Sequence, residues 1–176
     1  MKRLLTLDQK DYTDDMPVFE KIVVRALIGR EGCLAMQESS AGEYKIPGGG
    51  VEPGESLMEA LCREVREETG LIIRTGSVRE LGESLELRED ILCPGQKYVC
   101  RTLFFECEAE EELCETAMTE SEQKQGFHLA WARPEDIVAR NTALRTESWK
   151  RRDTEFLKLV LAGEVKLAGL ASELQE

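Results

Sequence analysis

The chain has 176 residues, a length that favours a single domain and provides enough interior to fold without disulfides or structural metals. Its 23 basic and 35 acidic residues give a formal net charge of −12, which argues against a protein that holds nucleic acid through phosphate contacts. A hydrophobic fraction of 41% excludes wholesale disorder, and no apolar run approaches the roughly 18 residues of a membrane helix.

After an N-terminal segment at 1–18, the sequence predicts three strands. Residues 21–28 are rich in β-branched side chains and predict a strand, with 33–36 as its hairpin partner. Residues 44–46 predict a short strand that Pro47 and three glycines end.

A helix is predicted at about 57–69, and its two ends carry clear signals. Ser56 is a natural N-cap with Glu59 three residues later, which is the pattern of a capping box. Gly70 supplies the C-terminal stop.

The second half of the chain predicts further strands and two helices. Helices are expected from Pro134 and at about 147–163, where apolar residues recur at helical spacing before a short tail. The segment 106–122 carries eight glutamates and no Lys or Arg, and is typical of a solvated acidic loop. Strands are predicted at 71–73, 78–87, 97–105 and 127–131. Strands with interspersed helices favour one α/β sandwich over 1–176.

The cysteines and the N-terminus predict a cytoplasmic protein. None of the six cysteines forms a C-x-x-C pair and His128 is the single histidine, so we expect reduced, mostly buried thiols rather than a zinc site or disulfides. The N-terminus soon becomes acidic and lacks the apolar core of a signal peptide.

Three carboxylates of the 57–69 helix are predicted at the edge of its apolar stripe rather than on its solvent-facing side. At 100° per residue, the apolar arc contains Leu57, Met58, Leu61, Cys62 and Val65, and this arc should face the core. Glu64, Glu67 and Glu68 converge on one edge of that arc. Like charges at this spacing repel one another, and a hard divalent cation with oxygen ligands would offset the repulsion. A solvated charged face is the alternative, but it would not encroach on the apolar stripe.

The preceding loop, 47–55, supports a cation or phosphate site. Its glycines allow the backbone to fold against the helix and present carbonyls or amides. Three glycines more often mark only a turn, and no Gly-Lys-Ser/Thr follows that would make a P-loop.

These residues together resemble a known family. Gly49, five residues, Glu55, seven residues and then Arg63-Glu64-Val65-Arg66-Glu67-Glu68-Thr69-Gly70-Leu71 match every specified position of the signature of the Nudix hydrolases. The resemblance implies a Nudix-type α/β/α sandwich with a mixed sheet. It also implies a pyrophosphohydrolase that uses water and Mg²⁺, with Mn²⁺ as a substitute, to cleave a diphosphate linkage in a nucleoside di- or triphosphate derivative.

The resemblance also assigns roles to residues. Glu64 and Glu68 would be the principal metal ligands, Glu67 would bind the metal directly or through water, and the Gly48 carbonyl would add a backbone ligand. Arg63 and Glu55 would brace the loop against the helix, with Gly49 and Gly70 as structural positions of the signature.

The remaining site residues lie outside the signature. The family often uses a further glutamate at a variable position, and we assign Glu122. For substrate binding, Arg25 and Lys45 could meet a phosphate and Tyr44 could stack on a base, although such residues are more often structural. The sequence Pro-Gly-Gly-Gly at 47–50 differs from the Pro-Ala-Gly typical of many ADP-ribose hydrolases, which disfavours ADP-ribose.

Two other classes of function stay open. One is a catalytically silent Nudix domain that senses a nucleotide or organises a protein complex, although such domains commonly lose signature carboxylates and here all are present. The other is an acidic interaction protein that docks through 106–122. The expected partner is a small nucleotide, with no nucleic acid or membrane, and a monomer and a homodimer both remain open.

Overall fold

The fold is given by a computed structural model, which describes residues 1–144 and 148–173. The strands are β1 (Arg3–Asp8), β2 (Val18–Leu27), β3 (Gly29–Arg30), β4 (Cys33–Glu38), β5 (Tyr44–Lys45), β6 (Leu71–Ile73), β7 (Arg79–Glu89), β8 (Lys97–Glu106), β9 (Ala109–Leu113) and β10 (His128–Ala132). The helices are α1 (Leu57–Thr69), α2 (Glu120–Lys124), α3 (Pro134–Ala143) and α4 (Ser148–Leu161). Short 3-10 helices occupy Thr75–Ser77 and Ala168–Glu173.

Two four-stranded sheets and one strand pair form the β-structure. The larger sheet has the order β1-β7-β8-β2 and is mixed, because β1 is parallel to β7 and β2 is parallel to β8 while β7 and β8 are antiparallel. The second sheet has the order β10-β4-β3, with β5 paired to β4. Strands β6 and β9 form the separate pair.

Helices cover both faces of the central strands. Along β2, the buried side chains of Val24 and Ala26 belong to the cluster that contains α1, whereas Leu27 belongs to the cluster that contains α3 and α4. This division follows from the period-two alternation of a strand. On the α4 side, Phe156 stacks on Phe104 of β8 with ring centroids 3.7 Å apart. The predicted α/β/α sandwich with a mixed sheet is confirmed.

The predicted helix at 57–69 is confirmed at both ends. Ser56 and Glu59 form the reciprocal capping box, and Gly70 ends the helix in a left-handed conformation at φ 75°. The predicted core face was too long, because Leu57 and Met58 are exposed and the helix packs through Leu61, Val65 and its later turns.

The predicted hairpin between 21–28 and 33–36 forms only next to its turn, where the Ala35 amide donates to the Ile28 carbonyl at 2.9 Å, and its predicted pairing along 21–27 is wrong. Strand β4 pairs with the two-residue β3, while β2 pairs in parallel with β8 over its whole length. The other edge of β2 is occupied by the glycine loop, since the Val24 and Ala26 amides donate to the Gly49 and Pro47 carbonyls at 2.9 Å. Strand β2 therefore has no free edge for β4 at these positions.

Strands β1 and β9 and helix α2 occur where no element was predicted. The N-terminal segment contains β1, which joins the main sheet beside β7, and the acidic segment contains β9 and α2. The side chains of β9 are mostly exposed, as expected for an acidic surface segment. The C-terminal helix is present as α4, although position 147 of its predicted range lies outside the described residues.

All six cysteines are free, as predicted. Cys100 and Cys107 are buried and Cys93 is exposed, while the other three are partly buried. Within the described ranges, none of the helices has both the length and the apolar character needed to span a membrane.

Candidate active site

The glycine loop lies so close to its neighbours that two of its positions tolerate no side chain. Gly48 has φ 130°, and a Cβ there would overlap the Val24 carbonyl oxygen. A Cβ on Gly49 would overlap the Glu64 carboxylate of α1. Glycine at these positions therefore allows the loop backbone to contact both β2 and the carboxylates of α1.

Arg63 ties the loop to α1. Its guanidinium donates to both oxygens of Glu55, at 2.7 and 2.9 Å, and to the Gly50 carbonyl at 3.0 Å. A third contact reaches Glu64 Oε1 at 2.8 Å. Hydrogen bonds from Arg63 lower the pKa of Glu55 to about 2, and the same bonds raise the pKa of Arg63. The pair is a bidentate, charge-assisted brace, the strongest type of side-chain hydrogen bond.

Glu68 carries a buried carboxylate at the inner end of the signature. The residue is 2% exposed, and its two oxygens accept from the Gly48 amide at 2.7 Å and from Lys45 Nζ at 2.5 Å. Burial raises the pKa of Glu68 to about 7, although Lys45 and Arg25 oppose this effect. The positive charges around Glu68 therefore do not fully compensate its desolvation.

Glu122 approaches the same lysine from α2. Its Oε2 accepts from the Thr119 amide at 2.9 Å in a capping box, while its Oε1 lies 3.5 Å from Lys45 Nζ. Burial by itself would raise the pKa of Glu122, but the hydrogen bonds from Thr119, together with Lys45 and Glu68, outweigh it and lower the pKa. Lys45 thus lies between the signature carboxylate Glu68 and the carboxylate outside the signature.

The side chains of Lys45, Glu64, Glu68 and Glu122 share one cleft of about 510 Å³. Its wall is formed by the glycine loop, α1, α2 and the inner faces of β2, β7 and β8. The sequence-predicted residues that line it are Arg25, Lys45, Gly48, Gly49, Glu64, Glu68 and Glu122.

Two predicted site residues take other positions. Glu67 is about one-third exposed and pairs with Arg63 at 3.4 Å, next to the cleft-lining Glu64. Tyr44 is buried in the core, where its backbone exchanges two hydrogen bonds with Asn141, and it lines a separate depression beside Arg140. The structure therefore does not bring Tyr44 to the cleft, because the side chains of neighbouring residues in β5, Tyr44 and Lys45, point to opposite faces.

Sequence reasoning missed two residues at the cleft, Arg152 and Asp153 of α4. Arg152 lines the cleft at 3% exposure, and Asp153 is fully buried behind it. A signal was available, because Asp153 precedes Phe156 and Leu157 by three and four residues and so lies on the apolar face of the helix. A charge on the apolar face was the same signal that identified Glu68.

The donor set suits a hard divalent cation. Glu64 and Glu68 present carboxylate oxygens to a cleft that the glycine backbone also lines, and oxygen is the ligand that Mg²⁺ prefers. The incompletely compensated burial of Glu68 is what a nearby cation would relieve. In the part of the chain that the structure describes, no three His, Cys, Asp or Glu side chains already form a metal cluster, and Lys45 and Arg63 contact these carboxylates instead.

Comparison with known proteins gives a consistent result. The model of the NUDIX domain family matches residues 20–154 of the chain. A nucleoside triphosphatase of Escherichia coli K12, NudI, is 34% identical over 126 residues, which cover 68% of this chain and 86% of that protein.

Solved structures share the fold. A NUDIX hydrolase from Nitrosomonas europaea superposes with a TM-score of 0.60 at 21% identity, covering 85% of this chain and 94% of the other. A MutT NUDIX hydrolase from Burkholderia pseudomallei gives a TM-score of 0.53 at 20% identity, covering 81% and 98%.

Proposed function

The chain belongs to the Nudix hydrolase family, and from this premise we propose that it cleaves a diphosphate linkage in a nucleoside di- or triphosphate derivative with Mg²⁺ as cofactor. Mn²⁺ is the expected substitute. The observation that carries the proposal is the shared cleft, in which two signature carboxylates, Glu64 and Glu68, lie beside the glycine loop and a further carboxylate, Glu122.

The carboxylates of α1 would hold the metal. We assign Glu64 and Glu68 as direct ligands, Glu67 as a ligand through its own oxygen or a water, and the Gly48 carbonyl as a backbone ligand. Bound there, a divalent cation neutralises charge on the phosphates and lowers the pKa of the attacking water. Arg63 would position the loop and Glu64 through its hydrogen bonds to the Gly50 carbonyl and to Glu64 Oε1.

The groups outside the signature would bind substrate and move the proton. Lys45 and Arg25 line the cleft as cations and suit phosphate oxygens. Glu122 faces Lys45 with one oxygen, and its lowered pKa keeps it ionised at neutral pH. We assign Glu122 to accept the proton of the water that attacks phosphorus.

A nucleoside triphosphate is the favoured substrate class. The E. coli relative is named as a nucleoside triphosphatase, and the loop sequence at 47–50 differs from that typical of many ADP-ribose hydrolases. We also propose that residues 1–176 act as one catalytic domain. The six free thiols support a reducing compartment such as the cytoplasm.

The test is a phosphate-release screen on the full chain. Deoxynucleotides, oxidised nucleotides, nucleotide sugars, ADP-ribose and dinucleoside polyphosphates are offered with Mg²⁺ or Mn²⁺, and a parallel set contains a chelator. We expect that at least one nucleoside triphosphate is hydrolysed and that this hydrolysis requires the metal. Nucleotide binding with no phosphate-containing product from any compound would instead support the silent, sensing domain.

A further inference from the structure

The inner end of the cleft is a buried polar surface that the signature does not explain. On one face of the main sheet, Phe104 of β8 stacks on Phe156 of α4 and closes the apolar core. One turn earlier on α4 lies Arg152, and the neighbouring position on β2 is Arg25, which pairs in register with Phe104. The side chains that cover this face of the sheet therefore change from apolar to cationic at the inner end of the cleft.

A single carboxylate holds both arginines. Asp153 Oδ1 accepts from Arg152 Nε at 3.0 Å, and its Oδ2 lies 3.6 Å from Arg25 Nε. The same Oδ2 also accepts from the Ile46 amide at 3.1 Å. Both arginines are at least 95% buried, and two further buried carboxylates act on them, Glu68 on Arg25 and Glu86 on Arg152.

The two guanidiniums retain unused donors. Over residues 1–144 and 148–173, the buried nitrogens Arg25 Nε, Arg25 Nη1 and Arg152 Nη2 have no hydrogen-bond partner. An unsatisfied buried donor is costly, and more so on a charged group, so a buried set of such donors calls for an explanation. Both side chains form part of the cleft wall, and an occupant of the cleft is the group that could satisfy them.

We infer that Arg25 and Arg152 form a subsite for the free terminal phosphate of the substrate, with Asp153 as the residue that positions both guanidiniums. The inference rests on the proposed function and deepens it, because it selects nucleoside triphosphates over nucleoside diphosphates whose outer phosphate is esterified. Asp153 acts through the arginines and does not touch the ligand.

Chemistry favours a phosphate over a nucleobase at this position. Guanidinium groups are donors only, and a terminal phosphate presents only acceptor oxygens with negative charge, whereas a base edge mixes donors and acceptors. The nearby carboxylates already have partners, because Glu86 Oε1 accepts from Arg88 at 2.9 Å and Glu68 accepts from Lys45 and the Gly48 amide. The floor therefore offers unused donors.

The first experiment measures binding of inorganic tripolyphosphate to the full chain by calorimetry, with a chelator present so that no metal contributes. We expect binding to the wild type and about tenfold or greater weakening in Arg152→Gln, because a charge-assisted pair is lost. Arg151→Gln is the matched control, since Arg151 is exposed on the same helix. Equal affinity of the wild type and Arg152→Gln would overturn the subsite.

A measurement on the wild type alone does not depend on whether the Arg152→Gln variant folds. Saturating tripolyphosphate should raise the midpoint of thermal unfolding, because a ligand that binds only the folded state stabilises it. An unchanged midpoint would also overturn the subsite.

A second experiment separates this inference from the proposed function. The ratio of kcat/KM for a nucleoside triphosphate to that for the nucleotide sugar of the same base should fall about tenfold in Arg152→Gln. An unchanged ratio, or a changed preference among bases instead, would overturn the subsite while hydrolysis itself stands. A wild type that hydrolyses no nucleotide would overturn the proposed function, and tripolyphosphate binding would still test the subsite.

Discussion

The carboxylates of α1 and those of the segment around β9 are both concentrated in the sequence, but the two groups are placed in opposite ways. Glu64 and Glu68 turn toward the cleft, where the glycine loop, Lys45 and Arg63 contact them. Glu108 and Glu110 lie at the surface and pair with Arg74, which is itself 45% exposed. Charge density therefore does not identify a site, whereas the position of a charge relative to the apolar stripe does.

The largest expected effect is on catalysis by Glu68→Gln. The amide keeps the shape of the side chain but removes a charged oxygen that we propose as a metal ligand, and we expect kcat/KM to fall about 100-fold or more while circular dichroism shows a folded protein. Glu110→Gln is the matched control from β9 and should retain activity. Full activity of Glu68→Gln would contradict a functional difference between the carboxylates of α1 and those of the segment around β9.

Arg63→Ala should have the next largest effect, because it removes the brace between the glycine loop and α1 while leaving every cleft carboxylate in place. The loop loses the bonds to Glu55 and the Gly50 carbonyl, and Glu64 loses a partner. We expect kcat/KM to fall about 10- to 100-fold, with weaker metal affinity as the cause. Steady-state kinetics over a Mg²⁺ titration would measure both, and loss of activity that excess Mg²⁺ does not partly restore would contradict this role.

Glu83 provides a buried carboxylate with a purely structural role. It is 4% exposed on β7 and accepts from Arg3 at 2.8 Å and Arg101 at 2.6 Å, which joins β1 to β7 and β8. Hydrogen bonds from Arg101 and then Arg3 outweigh burial and lower the pKa of Glu83. Its stabilisation should therefore be complete above the ordinary glutamate pKa and disappear as the pH falls through the lowered value.

Glu83→Gln should accordingly lower the free energy of unfolding by about 1 kcal/mol at pH 7, a small value because both arginines are about half exposed. The deficit should shrink in acid, and kcat should not change. Urea unfolding of the wild type and Glu83→Gln at pH 7 and below pH 4 checks this. A difference in the free energy of unfolding that is larger in acid than at pH 7 would contradict the lowered pKa of Glu83.

The smallest effect is expected from Arg74→Ala, which removes the exposed ion pairs of the acidic segment. Such pairs contribute little, and we expect a change within about 0.5 kcal/mol in the free energy of unfolding with unaltered activity. A loss of activity would show that the segment around β9 takes part in the site.

Local features were readable from the sequence, and features assembled across the chain were not. The helix at 57–69 and its caps depend on residues within one turn of each other, and the structure contains them at the predicted positions. The pairing of β2 with β8, the addition of β1 and the arrival of Arg152 at the cleft depend on register between distant segments. No short-range pattern encodes that register.

Side-chain alternation also limited the prediction of the site. Lys45 and Tyr44 are neighbours in β5, but only Lys45 reaches the cleft. In a strand of two residues, the sequence could not show which side chain faces the cleft. The helical pattern of α1 extends over several turns, and it therefore placed Glu68 at the edge of the apolar stripe.

Equilibrium binding of Mn²⁺, followed by electron paramagnetic resonance on wild type, Glu68→Gln and Glu110→Gln, tests most directly whether α1 provides a metal site and β9 does not. We predict that Glu68→Gln weakens binding at least about tenfold and that Glu110→Gln binds as the wild type does. Wild-type affinity in Glu68→Gln would contradict the account.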